Sequence, residues 1–166
     1  MNQPLERDFE QYLEHYERMI SKVARIYSHD QEGQKDLIQE IVLQLWRAFP
    51  KYEASKSTST WTYRIALNVS ISFLRKEKSR REGEESYRQE WPVYSSPPTD
   101  NDERIEQLYR FMDQVKSTDK ALLLLLLEGF KNKEIASIMG ISTSLVSTKI
   151  FRIKEQLKVY FESLNQ

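Results

Sequence analysis

Between Glu82 and Glu103 the chain carries Pro92, Pro97 and Pro98, the run SSPPTDND, and seven acidic residues against one arginine. No helix runs through that proline pattern, and the stretch has too little apolar surface to build a core. The chain must therefore fold in two pieces, one on either side. An acidic tether extends by self-repulsion, and one of this length reaches at most about 75 Å. Trp91 and Tyr94 are features that a passive tether does not need. The 166 residues suffice for two small domains. Glycine (4) and proline (5) are too scarce for a turn-rich β fold. The expected class is all-α: two small helical domains, residues 1–81 and 105–166, joined by an acidic, proline-containing linker over 82–104.

The N-terminal piece shows the clearest period. Phe9, Tyr12, Leu13, Tyr16, Met19, Ile20, Val23, Ile26 and Tyr27 recur at three and four, as a long amphipathic helix requires. A polar turn is expected over Ser28–Gly33. A second helix is expected from Gln34 to Phe49, stopped by Pro50. Its core face is Leu37, Ile38, Ile41, Val42, Leu45, Trp46 and Phe49. Its other face is Asp36, Gln39, Glu40, Leu43, Gln44 and Arg47. Leu43 there is either one ordinary exposed leucine or the centre of a protein-binding patch with a polar rim.

A Ser- and Thr-rich loop, Lys51–Thr60, leads into TWTYRIALNVSISFLRKEKSRR, Thr60 to Arg81. At 100° per residue, Trp61, Ile65, Ala66, Val69 and Phe73 share a face expected to pack on a core. Arg64, Asn68, Ile71, Arg75 and Lys78 share another. From Trp61 to Arg81 six basic residues oppose only Glu77, a net charge of +5. The face offers cations for phosphates and an amide, Asn68, for a base. It can equally be a solvated basic helix end that suits the helix dipole.

Beyond the linker, Ile105, Leu108, Phe111, Met112 and Val115 predict a helix over Ile105–Val115. Ser117–Lys120 has the composition of an N-cap. Ala121–Glu128 is a leucine-rich helix ended at Gly129. In NKEIASIMGISTSLVSTKIF, Asn132 to Phe151, Gly140 stands four residues after Ala136 and Val146 six further on. That is the spacing of a helix-turn-helix: a small residue where the helices approach, a glycine at the turn, an apolar plug beyond it. The second helix packs through Val146, Ile150, Ile153 and Leu157. It offers Ser142, Thr143, Ser144, Ser147, Thr148, Lys149 and Arg152 to phosphates and base edges. An ordinary helical hairpin is the plainer alternative.

Charge and composition narrow the function. The net charge is zero, but residues 1–60 carry −2, 61–81 carry +5, 82–106 carry −6 and 107–166 carry +3. Such a chain touches nucleic acid at chosen places rather than coating it. There is no cysteine, and His15 and His29 stand alone, so no metal ligand set or catalytic constellation is expected. No phosphate-cradling glycine loop occurs; no cofactor and no small-molecule substrate are expected. The start, MNQPLERDFE, lacks the regions of a signal peptide, and the longest apolar run, Ala121–Leu127, is too short to span a bilayer. The expected compartment is the cytoplasm.

Two DNA-facing units, an acidic linker and a protein-docking face together resemble the extracytoplasmic-function sigma factors, promoter-recognition subunits of bacterial RNA polymerase. The resemblance runs from about Phe9 to Phe161. DLIQEIVLQLWRAF, Asp36 to Phe49, is similar to the family's core-polymerase-binding helix; Thr60–Arg81 to the helix that reads and opens the −10 element; Asn132–Leu157 to the helix-turn-helix that reads the −35 element. The resemblance implies that Asp36, Gln39, Glu40 and Leu43 meet the polymerase clamp, with Trp46 packing beneath. It implies that Arg64, Asn68, Arg75 and Lys78 face the −10 DNA, with the loop Glu53–Thr60 holding a flipped base. Lys149 and Arg152 match basic positions of the recognition helix, and the linker would thread the polymerase towards the RNA exit. An inhibitory anti-sigma protein, often membrane-bound, is implied as a further partner. The chain departs from the family at Thr58, where an aromatic residue is usual, at Ser72, near which an acid is common, and at Ser147, where a base is common. The resemblance implies an alternative sigma factor without catalytic chemistry of its own. Two other readings stand beside it: a stand-alone helix-turn-helix regulator, and an adaptor that binds a helical partner without reading DNA.

Overall fold

A computed structural model describes residues 3–53, 57–83 and 102–166, and every element among them is helical. The chain divides into two compact units between Tyr94 and Ser95. The linker expected over 82–104, with Trp91 and Tyr94, lies from 84 to 101 outside the described residues.

In the first unit, α1 (Gln3–Tyr27), α2 (Gln31–Ala48) and α3 (Thr58–Gly83) pack pairwise against one another. The α1 period holds: Phe9, Tyr16, Ile20, Val23, Ile26 and Tyr27 are buried, together with Ala24. The turn after it is shorter than expected. Asp30 adopts an extended conformation and its carboxylate accepts from the Gly33 N–H, so α2 starts at Gln31 rather than Gln34. Gly33 answers to crowding: a Cβ there would lie 2.2 Å from Ser28 Oγ. Leu37, Ile41 and Leu45 are the fully buried seam of α2. Pro50 does not simply stop the helix but sits inside a 3-10 turn, Phe49–Lys51.

The core face of α3 differs from the one expected. Its buried residues are Thr62, Tyr63, Ala66, Leu67 and Ser70, whereas Trp61, Ile65, Val69, Phe73 and also Ile71 are only half-buried. The reason is that two hydroxyl residues enter the core with their polarity already satisfied. Thr62 Oγ1 donates to Thr58 O at 2.7 Å, and Ser70 Oγ donates to Ala66 O at 2.7 Å. Apolar periodicity counts both as polar and so rotates the inferred face.

In the second unit, α4 (Asp102–Gln114), α5 (Ser117–Leu127), α6 (Asn132–Met139) and α7 (Thr143–Leu164) form the fold, with α5 touching the other three. That position explains its unbroken buried run, Lys120 to Leu125. Phe111 and Met112 of α4 are buried as expected, but Ile105 is 49% exposed, because α4 starts earlier and its first turns lie at the rim. The N-cap of α5 is Lys116, whose side chain makes no capping bond, rather than a residue of the Ser117–Lys120 stretch. Gly129 (φ +85°) closes α5, with Phe130 N–H bonded to Leu125 O at 3.1 Å. Gly140 (φ +67°) ends α6, and Ile141 N–H bonds to Ala136 O at 3.1 Å. Ala136, Val146, Ile150 and Ile153 are buried, and Leu157 is half-buried, the packing that the helix-turn-helix spacing predicts. Among the described residues no helix is long and apolar enough to cross a membrane.

Candidate nucleic-acid and protein interfaces

The outer face of α2 is open. Asp36, Gln39, Glu40 and Leu43 are all exposed, Leu43 to 39%. Glu40 Oε1 accepts from Gln44 Nε2 at 2.8 Å, one turn along, which orients the carboxylate. Arg64, Asn68, Arg75 and Lys78 are likewise exposed on α3. The two sets are not separate. Asp36, Glu40 and Gln44 of α2 form one wall of a groove whose other wall is Asn68, Ser72 and Lys76 of α3, with Ile65, Val69 and Phe73 between them. Asp36, Glu40 and Asn68 thus meet in one groove, while Gln39 and Leu43 lie outside it. Ile65, Val69 and Phe73, which sequence assigned to the core, thus line this groove, while Trp61 does not.

The first turn of α3 is held by hydroxyl pairs that sequence reasoning missed. Tyr12 Oη pairs with Thr62 Oγ1 at 2.6 Å, Tyr16 Oη with Ser59 Oγ at 3.3 Å, and Tyr52 Oη with Thr58 Oγ1 at 2.7 Å. Burial pushes the Tyr12 phenol well above its ordinary range, against the opposing effect of the Thr62 bond. The Trp61 ring lies 4.9 Å from the Tyr52 ring and 5.9 Å from that of Tyr12. An aromatic partner for Trp61 therefore comes from Tyr52, across the loop from Thr58. Of the loop expected to hold a base, residues 54–56 lie outside the described residues.

In the second unit Ser142 caps α7, its Oγ accepting from Leu145 N–H at 3.1 Å. Thr143, Ser144, Ser147, Thr148 and Arg152 are exposed. Ser147 Oγ donates to Thr143 O and accepts from Asn132 Nδ2, both at 3.1 Å, so it also ties α6 to α7. Thr148 Oγ1 donates to Ser144 O at 3.1 Å. Lys149 stands apart: it is half-buried, with Nζ 3.3 Å from Asp119 Oδ1 of α5. Among the described residues no group of three or more His, Cys, Asp and Glu could hold a metal ion.

Two family models match. Sigma-70 region 2 covers residues 12–80 and Sigma-70 region 4 covers residues 105–157. RNA polymerase sigma factor YlaC of Bacillus subtilis is 27% identical over 155 residues, 89% of this chain and 87% of its own length. ECF RNA polymerase sigma factor SigX of the same organism is 22% identical over 171 residues, 98% of this chain and 88% of its own length. The solved structure of the sigma factor RpoE in complex with the anti-sigma factor NepR from Bartonella quintana is 17% identical, with a TM-score of 0.78. The likeness covers 94% of this chain and 98% of that one, and shows the fold.

Proposed function

We propose a mode of action from one premise: the chain belongs to the sigma-70 family and is an extracytoplasmic-function, alternative sigma factor, which directs RNA polymerase in transcription initiation. The outer face of α2, through Asp36, Gln39, Glu40 and Leu43, docks on core polymerase. The first unit, extended over residues 1–81, then reads and traps −10 DNA through Arg64, Asn68, Arg75 and Lys78. The second unit, over 105–166, places α7 in the −35 duplex with Thr143, Ser144, Ser147, Thr148 and Arg152 as its polar complement, while Lys149, expected among them, is engaged by Asp119 of α5. The linker, expected over 82–104 and bounded by the end of α3 at Gly83 and the start of α4 at Asp102, spans the distance between them. Bond formation belongs to the polymerase; this chain supplies binding and strand capture. It works in the cytoplasm, and an anti-sigma protein is its inhibitory partner, a reading supported by the RpoE–NepR pairing of a structure with the same fold.

The observation that carries the docking step is Leu43, 39% exposed on a face it shares with Asp36, Gln39, Glu40, Gln44 and Arg47. An apolar centre with a polar rim is the anatomy of a protein interface. Net neutrality supports a second point: the free chain holds DNA weakly and with steep salt dependence, and grips it only when seated on polymerase. A stand-alone regulator is not favoured, because Sigma-70 region 2 covers the half that such a protein would give to dimerisation.

Co-elution with core RNA polymerase tests this. The parent is expected to co-elute, and a folded Glu40→Arg, Leu43→Asp variant is expected not to. A folded parent that fails to co-elute sinks the docking step, and a variant that still binds moves the dock off this face.

A further inference from the structure

Phe151 is 67% exposed, the most open of the large apolar side chains among the described residues. It lies in the outward stripe Ser144, Thr148, Phe151, Glu155, opposite the buried Val146, Ile150 and Ile153. Ser147 and Arg152 flank it. A helix rise of about 1.5 Å per residue puts it about 10 Å beyond Ser144 along the axis, within the roughly 12 Å width of a major groove. One exposed phenylalanine in general needs no explanation. This one stands among hydroxyls and a guanidinium, on the face that a recognition helix turns to base edges. A phenyl ring offers a phosphate no conventional hydrogen bond, and covering one costs hydration. The apolar group that a major groove presents is the C5-methyl of thymine.

We propose that Phe151 is a specificity-determining residue, whose ring covers a thymine methyl in the −35 duplex. The proposal rests on the placement of α7 in that duplex. Burying one methyl is worth about fourfold in affinity. Its neighbours Ser147 and Thr148 already spend their hydroxyl protons on Thr143 O and Ser144 O. This leaves the ring and Arg152 as the side chains on this part of the stripe least committed to the helix itself.

The test uses the full chain with core RNA polymerase and a promoter library randomised over the −35 region. Parent, Phe151→Ala and Phe151→Leu are compared by sequencing the transcribed members. The parent is expected to prefer thymine at one position about fourfold. Phe151→Ala loses that preference and keeps the others; Phe151→Leu, still apolar, retains most of it. Deoxyuridine at that position then weakens the parent about fourfold and leaves Phe151→Ala unchanged. Because the ring is exposed, the melting temperature of Phe151→Ala should match the parent's. A uniform loss across all sequences, an unchanged preference in Phe151→Ala, or no cost of deoxyuridine to the parent overturns the proposal. A parent that co-elutes with polymerase but transcribes no library member overturns the promoter reading itself, and this proposal with it.

Discussion

Lys149 of α7 and Asp119 of α5 meet at 3.3 Å across the packing of these two helices. Their side chains are 33% and 22% exposed. Spacing puts Lys149 among the cations offered to DNA; its ammonium instead lies against its own fold, while Arg152 points to solvent.

The two cations should therefore separate in a salt titration of promoter binding by the polymerase complex. Arg152→Met is expected to reduce the slope of log affinity against log salt by about 1, the signature of a lost phosphate contact. Lys149→Met should leave the slope unchanged and cost about 0.5 kcal/mol of stability, with coupling to Asp119→Asn in a double-mutant cycle. Equal slope changes for both variants would return Lys149 to the DNA.

Thr62→Val keeps the shape of a fully buried residue and removes the hydroxyl that serves both Thr58 O and Tyr12 Oη. Leaving the Tyr12 phenol without that partner is expected to cost about 1–2 kcal/mol. For a domain of this size, that lowers the melting temperature by roughly 4–16 °C. A variant that melts with the parent would show that the pair contributes nothing net.

Lys120 is a buried cation, its side chain 5% exposed, 3.4 Å from Asp113. Burial pushes its pKa down, and Asp113 opposes the shift. The folded pKa lies below the unfolded one, so the unfolded chain binds more protons as pH rises through the interval between them. Stability from this group should thus rise with pH up to about 10.5, the unfolded value. Lys120→Met should remove that rise relative to the parent in melts at pH 7 and 9.5. Asp113→Asn should cost more stability at pH 7 than Lys120→Met does, by about 1 kcal/mol or more, since it leaves the ammonium buried without its carboxylate. The reverse order would place the balance elsewhere.

Gly140 stands at φ +67° with nothing within 4 Å of an added Cβ. The cost of Gly140→Ala is then backbone strain alone, about 1–2 kcal/mol. Gly140→Asn should be milder, since asparagine tolerates this conformation. Urea melts of the two variants check the order, and a larger loss in the asparagine variant would contradict it.

Most of the fold was legible because most of it is packed by apolar side chains at helical spacing. Phe9 to Tyr27 and Ala136 to Ile153 each carry a period that burial follows, with Tyr12, Leu13 and Met19 left half-buried at the margin of the first. The helix-turn-helix was legible through three unrelated demands, on Ala136, Gly140 and Val146, that rarely coincide. On α3 the reading failed, for a physical reason. Thr62 and Ser70 hide their hydroxyls in i−4 bonds, and Ile65, Val69 and Phe73 floor a groove instead of a core. The Tyr–Ser/Thr clasps on its first turn left no trace in periodicity, because they join residues 6 to 50 apart in sequence. The outward faces of α2 and α3 were legible as faces, but not the fact that Asp36, Glu40 and Asn68 share one groove, which depends on how two helices lie side by side. Phe151 could have been found by continuing the Ser144–Thr148 stripe one step.

The groove between α2 and α3 has a thermodynamic consequence. One wall carries the acids proposed to meet polymerase, and the other carries the amide proposed to meet DNA. A clamp that prefers one separation of those walls biases the presentation of Asn68. DNA that prefers the same separation then favours the clamp by an equal factor, since binding free energies are state functions. Under the proposed roles of the two walls, loading onto polymerase and gripping the promoter would be reciprocal events, mediated by two helices in direct contact rather than by any long-range relay.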